Sequence, residues 1–348
     1  MKIKIDKYKL SEIYNLNYNV FYPLTKFISK KQFLSIVNKM EINKKIFFPM
    51  PIYFSLNKIP KKTKKLKVYY NDSYVCNLLI NNIYSFTHNK KIELGIKIFG
   101  TKDINHFGFN KFLFESNFFI DCEIDNFNPK KNLIKFTNPK KIIDIVAMKN
   151  IKTLAGFHTR NVPHRAHEWI HKYGLKKCKN LMIQPLIGQY MSGEYKESII
   201  IKTNKLIVNE VYKNKNVFFA ILNSFPRYAG PREALFHAII RKNYGCTHFL
   251  VGRDHAGVKK YYGVYDSQKL CKKFQKKIDI KIITFKEPFL CEGCKKIYNK
   301  KCKLCLKEKK LKISGTMIRD MINNQEQIPT MIMSKKFSKI LNRTSIIK

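Results

Sequence analysis

Residues 156–168 read Gly-Phe-His-Thr-Arg-Asn-Val-Pro-His-Arg-Ala-His-Glu, passing from strand-like residues into a helix pattern with proline in its first turn. His164 and His167 stand three apart at that helix start, so both can face one side. A helix N-terminus offers unpaired N–H groups and positive potential to an anion. Arg160, just ahead of it, can contact an oxyanion bidentately. A helix start with surface histidines would give the same spacing without any function. The triplet Thr159, Arg160 and Asn161 immediately before it favours an anion-binding strand-to-helix junction.

The same rhythm continues outward from this stretch. Strands are predicted over 153–159, 180–187, 217–222, 248–251 and 279–285, and helices over 163–173, 231–244 and 265–276. Pro231 opens the second of these helices and Gly245 stops it. A short strand over 311–313 leads into a helix over 314–322. Alternating strands and helices imply an α/β domain whose parallel sheet is covered on both faces. Ligands of such sheets gather where strands end and helices begin.

Two further junctions carry similar chemistry. Residues 251–257, Val-Gly-Arg-Asp-His-Ala-Gly, follow directly on an apolar strand. Gly252 and Gly257 let the backbone approach a ligand closely. Arg253 and His255 are donors suited to phosphate, and Asp254 can orient one of them. Residues 313–319, Ile-Ser-Gly-Thr-Met-Ile-Arg, form the third junction. Ser314 and Thr316 can cap the helix or hold phosphate oxygens beside Arg319, and the residues alone leave both open.

Residues 1–150 read differently. Strand-like runs at 65–70, 74–84 and 91–99 are separated by Asn, Asp and Lys turns, which points to a β-rich domain. Two Asn-Pro steps within 126–141 suggest the approach to a boundary. No apolar run approaches the ~18 residues that span a membrane. The N-terminus lacks a signal-peptide core, so a cytoplasmic location is expected. The formal charge of +44 across 348 residues invites a nucleic-acid reading. Lysine is spread along the whole chain, however, and Lys, Asn, Ile, Phe and Tyr share AT-rich codons. The charge is therefore read mainly as codon bias, with no specific nucleic-acid partner. Its field can still concentrate anionic substrates within about 8 Å.

Nine cysteines are present, and four of them read Cys291-x2-Cys294-x7-Cys302-x2-Cys305. Two C-x-x-C pairs across a short loop suit four thiolates around a tetrahedral zinc ion. A redox pair, the competing idea, needs only one C-x-x-C. The other five, Cys178 and Cys246 among them, read as packing residues. Without an export signal, a disulfide framework is not expected.

Taken together, these motifs resemble the ATP sulfurylase family, within the nucleotidyltransferases that use an H-x-x-H helix start. The family pattern Gln-Thr-Arg-Asn-x-Pro-His-x-x-His-Glu is matched from Thr159 to Glu168. Gly-Arg-Asp-His-Ala-Gly is matched at 252–257 and Ile-Ser-Gly-Thr at 313–316. Residues 227–233 and 261–268 resemble family segments, with weaker echoes at 21–27 and 101–108. The glutamine opening the first motif, which in the family touches nucleotide and sulfate, is replaced here by His158.

The resemblance implies sulfate adenylyltransferase activity, in which a sulfate oxygen attacks the α-phosphorus of ATP in line. Adenylyl sulfate and pyrophosphate are the products, with no covalent enzyme intermediate. It assigns catalysis to Thr159, Arg160 and Asn161, with His164 and His167 steadying phosphates. ATP falls to His158, Thr159, Arg160, Asn161, Gly252, Arg253, Asp254, His255 and the backbone near Pro288. Sulfate falls to His158, Arg160 and the Ala256 N–H. The implied cofactors are magnesium on the polyphosphate and structural zinc on Cys291, Cys294, Cys302 and Cys305. The implied architecture is a PUA-like β-rich domain over 1–150, a Rossmann-like nucleotidyltransferase domain over 151–320 and a helical tail over 321–348. A homodimer or larger homo-oligomer is expected. No G-x-x-x-x-G-K-[ST] loop occurs, so a fused adenylyl-sulfate kinase is not expected. An RNA-binding protein and an adenylyltransferase with another acceptor are the alternatives. The first leaves three anion-binding junctions unexplained, and the full motif set argues against the second.

Overall fold

Alternating burial builds the first sheet. In β3 (Lys65–Tyr70) Leu66 and Val68 are buried while Lys65 and Lys67 face water, the period-two pattern of a half-covered strand. Asn71 and Asp72 both take positive φ, which turns the chain tightly into β4 (Ser73–Ser85). The computed structural model describes residues 1–58, 63–188, 192–302, 304–305 and 309–347. It divides into two units. One comprises Met1–Lys140, Pro226–Tyr244 and Asp254–Ile280, and the other Lys141–Phe225, Gly245–Arg253 and Lys281–Lys348.

The first unit begins with β1 (Lys2–Lys4), α1 (Lys7–Asn17), α2 (Lys30–Lys39) and β2 (Phe54–Leu56). After β3 and β4 come α3 (His88–Phe99), α4 (Phe107–Phe114) and β5 (Phe118–Asp125). The five strands form one sheet in the order β1-β3-β4-β5-β2, parallel only between β1 and β3. The run expected as a strand at 91–99 is helical and belongs to α3. Ile92, Leu94, Ile96 and Ile98 alternate as a strand would, which misleads. The residues actually buried are Lys91, Leu94, Gly95, Ile98 and Phe99, a helical period, and Thr87 caps the helix by accepting from the Lys90 N–H.

The helix α5 (Pro139–Met148) follows, and then the strand–helix alternation. Its members are β6 (Ala155–Thr159), α6 (Arg165–Cys178), β7 (Leu181–Pro185), α7 (Glu197–Leu206), β8 (Val217–Phe219) and α8 (Gly230–Asn243). Next come β9 (His248–Val251), α9 (Asp266–Ile278) and β10 (Lys281–Thr284). The chain closes with β11 (Phe289–Cys291), β12 (Ile297–Tyr298), β13 (Lys310–Leu311), α10 (Gly315–Asn323) and α11 (Lys335–Ser338). In the second unit β10-β9-β6-β7-β8 form one sheet, and every pair is parallel. From β6 the order runs outward through β7 to β8, then returns to β9 on the other side of β6. The strand order therefore reverses between β6 and β9, the place where open parallel sheets bind ligands. One face of this sheet is sealed by apolar residues, among them Phe157, Ile183, Ala166 and Ile200. The helices α8 and α9, which lead into β9 and β10, group with the first unit.

In the first unit, Arg232 at the start of α8 closes the C-terminal ends of two helices. Its guanidinium donates to the carbonyls of Ile36 and Pro49, to that of Val37 at 3.1 Å and to that of Lys97 at 3.0 Å. Beside it the buried Glu233 accepts from the Arg227 and Ala229 N–H groups at 2.9 and 3.0 Å. Arg227 in turn pairs with the buried Glu12 at 2.6 Å. The Tyr261 hydroxyl donates to Asp103 at 2.6 Å, joining two of the segments that carried the family likeness. Arg232→Ala would remove these four bonds, leaving the Ile36 carbonyl with its Met40 N–H alone, and we expect a loss of about 3 kcal/mol or more, read as a lower urea midpoint.

Candidate active site

The first junction is tied down by its own polar groups. Thr159 Oγ1 accepts from the Asn161 N–H at 3.0 Å. Asn204 Nδ2 donates to the Asn161 carbonyl at 3.1 Å. His164 is the N-cap of α6, with extended backbone and no side-chain cap bond, so the helix proper starts two residues later than the sequence suggests. His164 and His167 stack with ring centroids 3.8 Å apart. The Nδ1 atoms of both are buried and have no hydrogen-bond partner among the described residues. Desolvation by burial, with the neighbouring imidazoles adding to it, holds His164 well below the usual histidine range. Burial lowers His167 to about 4. Both rings are thus neutral near pH 7, each carrying one N–H, and that of His167 faces the Val162 backbone.

The arginines at this edge are already engaged by carboxylates. Arg160 Nη1 lies 3.6 Å from Glu194 Oε1, and Arg253 Nε lies 3.4 Å from Glu287 Oε2. Glu287 also pairs with Lys312 at 3.2 Å, and Pro288, buried, follows it between β10 and β11. Gly252 and Arg253 leave the end of β9, the neighbour of β6 in the sheet. The third junction reaches the first directly. Arg319 Nη1 donates to Asn161 Oδ1 at 3.2 Å. Gly315 is required here, since a Cβ would stand 2.4 Å from that same Oδ1. Ser314 caps α10 through the Met317 N–H at 3.1 Å, and Thr316 accepts from Arg319 at 3.1 Å. Glu194, Glu287 and Asn204 went unread in the sequence because no local motif marks them.

Asp254, His255 and Ala256 belong to the first unit. Asp254 and Ala256 both take left-handed backbone, φ 45° and 61°, uncommon for residues with a Cβ. The Ala256 carbonyl accepts from the Gly230 N–H at 3.1 Å. His237 Nδ1 lies 3.1 Å from His255 Nε2, and its Nε2 faces Glu233 at 3.4 Å. His237 and Glu233 were not singled out in the sequence, where both look like ordinary positions on a helix.

The four cysteines converge as their spacing predicted. The sulfurs of Cys291, Cys294, Cys302 and Cys305 all lie within 4.8 Å of one another. Cys294 and Cys302 are 3.6 Å apart. Four sulfurs at ~2.3 Å from one tetrahedral ion sit about 3.8 Å from each other. Gly293 makes room, because a Cβ there would meet Cys305 Sγ at 2.7 Å. Desolvation raises the Cys294 thiol, but hydrogen bonds from the Lys296 N–H, Tyr298 and the neighbouring thiols outweigh it and bring it down to about 7. This donor set can hold a metal ion.

A family model described as ATP-sulfurylase matches residues 135–344, and one described as a PUA-like domain matches residues 1–129. A sulfate adenylyltransferase of Pyrococcus abyssi is 32% identical over 345 residues, covering 98% of this chain and 89% of the relative. One of Carboxydothermus hydrogenoformans is 31% identical over 354 residues, covering 99% and 92%. The chain belongs to the ATP-sulfurylase family. A solved structure, the hexameric APS kinase from Thiobacillus denitrificans, aligns with 97% of the chain at a TM-score of 0.73 and 14% identity. The chain spans 62% of that structure's length, and the likeness is one of fold. The fold is thus a PUA-like domain followed by an α/β domain with a parallel sheet, of the nucleotidyltransferase type.

The neutral histidines of this ATP-sulfurylase site carry a pH signature. Between about pH 4 and the usual histidine value of 6.5 the unfolded chain holds a proton that folded His167 does not. Stability therefore rises with pH in that window and falls as the medium is acidified through it. In thermal melts from pH 7 to 4.5, His167→Asn should show a shallower fall than wild type. The difference expected is up to about 1.4 kcal/mol per pH unit.

Proposed function

We propose that the chain catalyses the sulfate adenylyltransferase reaction, ATP + sulfate giving adenylyl sulfate + pyrophosphate, reversibly. The reaction serves sulfate assimilation or, reversed, ATP formation during sulfur oxidation. The observation that carries this reading is the meeting of cationic junctions at one sheet edge. Arg160 follows β6, Arg253 follows the adjacent β9, and Arg319 bonds to Asn161 next to Arg160. Family membership and curated sulfate adenylyltransferases aligned over nearly the whole chain support the same conclusion.

In the proposed step a sulfate oxygen forms a bond to the α-phosphorus of ATP. The bond from that phosphorus to the bridging oxygen breaks, and pyrophosphate leaves with the electron pair. Sulfate is a weak nucleophile, so the residues act by positioning and by neutralising charge. Thr159, Arg160 and Asn161 take the catalytic roles. Arg160 exchanges its contact with Glu194 for substrate oxygens. His164 and His167, neutral at rest, each donate one N–H to phosphate oxygens as charge develops. The proposed ATP contacts are His158, Thr159, Arg160, Asn161, Gly252, Arg253, Asp254, His255 and the backbone near Pro288. Sulfate takes His158, Arg160 and the Ala256 N–H.

Magnesium is proposed on the polyphosphate, held mainly by substrate and water. Zinc is proposed on Cys291, Cys294, Cys302 and Cys305, where it would tie β11 to the loop that follows. We further propose the division into 1–150, 151–320 and a tail over 321–348, a homodimer or larger homo-oligomer, and a cytoplasmic location. Among the described residues no helix is long and apolar enough to cross a membrane.

The deciding assay is ATP formation from adenylyl sulfate and pyrophosphate by the purified chain. Arg160→Ala should lower this rate by at least ~10²-fold while circular dichroism stays native. Near-normal turnover in that variant would remove Arg160 from the mechanism. For the metal, protein purified under reducing, chelator-free conditions should carry about one zinc per chain. Cys294→Ser should lower metal content and melting temperature together, and metal-free wild type with an unchanged melt would overturn the assignment.

A further inference from the structure

The strand beside His158 brings a second polar side chain to the same edge. In the parallel ladder of β6 and β7, His158 is paired with Gln184. Paired residues of neighbouring strands project from the same face of a sheet. Phe157 points to the opposite face, where its ring meets His171 on α6 at 4.4 Å. His158 and Gln184 therefore share the face opposite the α6 core. Gln184 is 0% exposed, and neither its Oε1 nor its Nε2 has a hydrogen-bond partner among the described residues. Buried polar groups of folded proteins are overwhelmingly paired, and an unpaired donor and acceptor in one side chain are expensive to keep. Methionine would fill the same space without that penalty. The amide stands next to the Pro185 end of β7, on the sheet edge that holds Thr159, Arg160 and Asn161.

We propose that Gln184 is a substrate-contacting residue, its Nε2 donating to a sulfate oxygen of sulfate or adenylyl sulfate alongside His158. The proposal rests on the sulfate adenylyltransferase reading above. A carboxamide suits this place because it donates to an oxyanion without adding charge to an edge that already carries Arg160 and Arg253. It also explains why a buried strand residue is polar at all. With two adjacent strands each offering a donor, the sulfate group is held from two directions, and its rotation is restricted before it meets the α-phosphorus.

The test compares wild type, Gln184→Met, His158→Gln and the double variant in the forward reaction and in thermal melts. Removal of one hydrogen bond to a charged ligand should raise the KM for sulfate about 10- to 100-fold. The KM for ATP should change less than ~3-fold and the melting temperature should hold or rise. His158→Gln in the Gln184→Met background returns a carboxamide to the edge from the adjoining strand, and should recover part of the sulfate affinity. Calorimetric binding of adenylyl sulfate gives a second readout, in which Gln184→Glu should bind more weakly than Gln184→Met through charge repulsion. An unchanged KM for sulfate, equal weakening toward both substrates, or a lowered melt without a sulfate effect would each overturn the proposal. Wild type that forms no ATP from adenylyl sulfate and pyrophosphate would overturn the functional reading itself, and this proposal with it. Active wild type with an indistinguishable Gln184→Met variant would overturn this proposal alone.

Discussion

Everything at the candidate site hangs on the hydrogen-bonded pairing of β6 with β9. That pairing joins strands separated by some ninety residues of chain and puts their C-terminal ends side by side. Loops leave these two parallel neighbours in opposite directions, and open sheets of this kind bind ligands at such a reversal. The sequence around it is polar where a sheet edge of this kind needs it to be. Asn161 is the hinge of the arrangement, bonded from Asn204 at its carbonyl and from Arg319 at its side chain. A short run of three residues is thereby fixed from two distant helices, and the placement of Arg160 inherits that rigidity.

A lysine-rich chain has charge enough to leave a cationic site unpaired. Instead Arg160 and Arg253 each face a carboxylate, Glu194 and Glu287. At separations near 3.5 Å in a partly screened setting such pairs are modest in strength. They are strong enough to orient a guanidinium and, in the proposed reaction, weak enough to yield to a polyphosphate. Burial likewise keeps both stacked histidines uncharged. The two arginines at this edge are thus each held beside a carboxylate.

Sequence reading reached furthest where chemistry is local. The strand at 248–251 was bounded correctly because an apolar run there ends at Gly252, and the cysteine cluster followed from two C-x-x-C spacings. The three junctions were legible because proline, glycine and helix-capping residues mark strand-to-helix turns. The helix α3 was misread since its isoleucines and leucine alternate, and only packing reveals which residues are inside. Among the described residues, the 129 matched by the PUA-like model hold four helices beside their sheet, more than turn residues alone suggested. Glu194, Glu287 and Asn204 could not be found at all, because their meaning comes from partners distant in sequence. Gln184 needed the strand register, which no spacing rule supplies.

The interruption of the first unit has a bearing on how the chain is made. Residues 1–140 cannot complete that unit by themselves, since 226–244 and 254–280 belong to it. The carbonyls of Ile36, Val37, Pro49 and Lys97 wait for Arg232, and the buried Glu12 waits for Arg227. At ~5–20 residues per second, a ribosome needs on the order of ten seconds to supply the missing segments. Through that interval the nascent N-terminal sheet is on display with two helix ends unsealed. The long-range closure sets a late checkpoint for the polypeptide, and makes this early-synthesised half the part most in need of protection from its neighbours during translation.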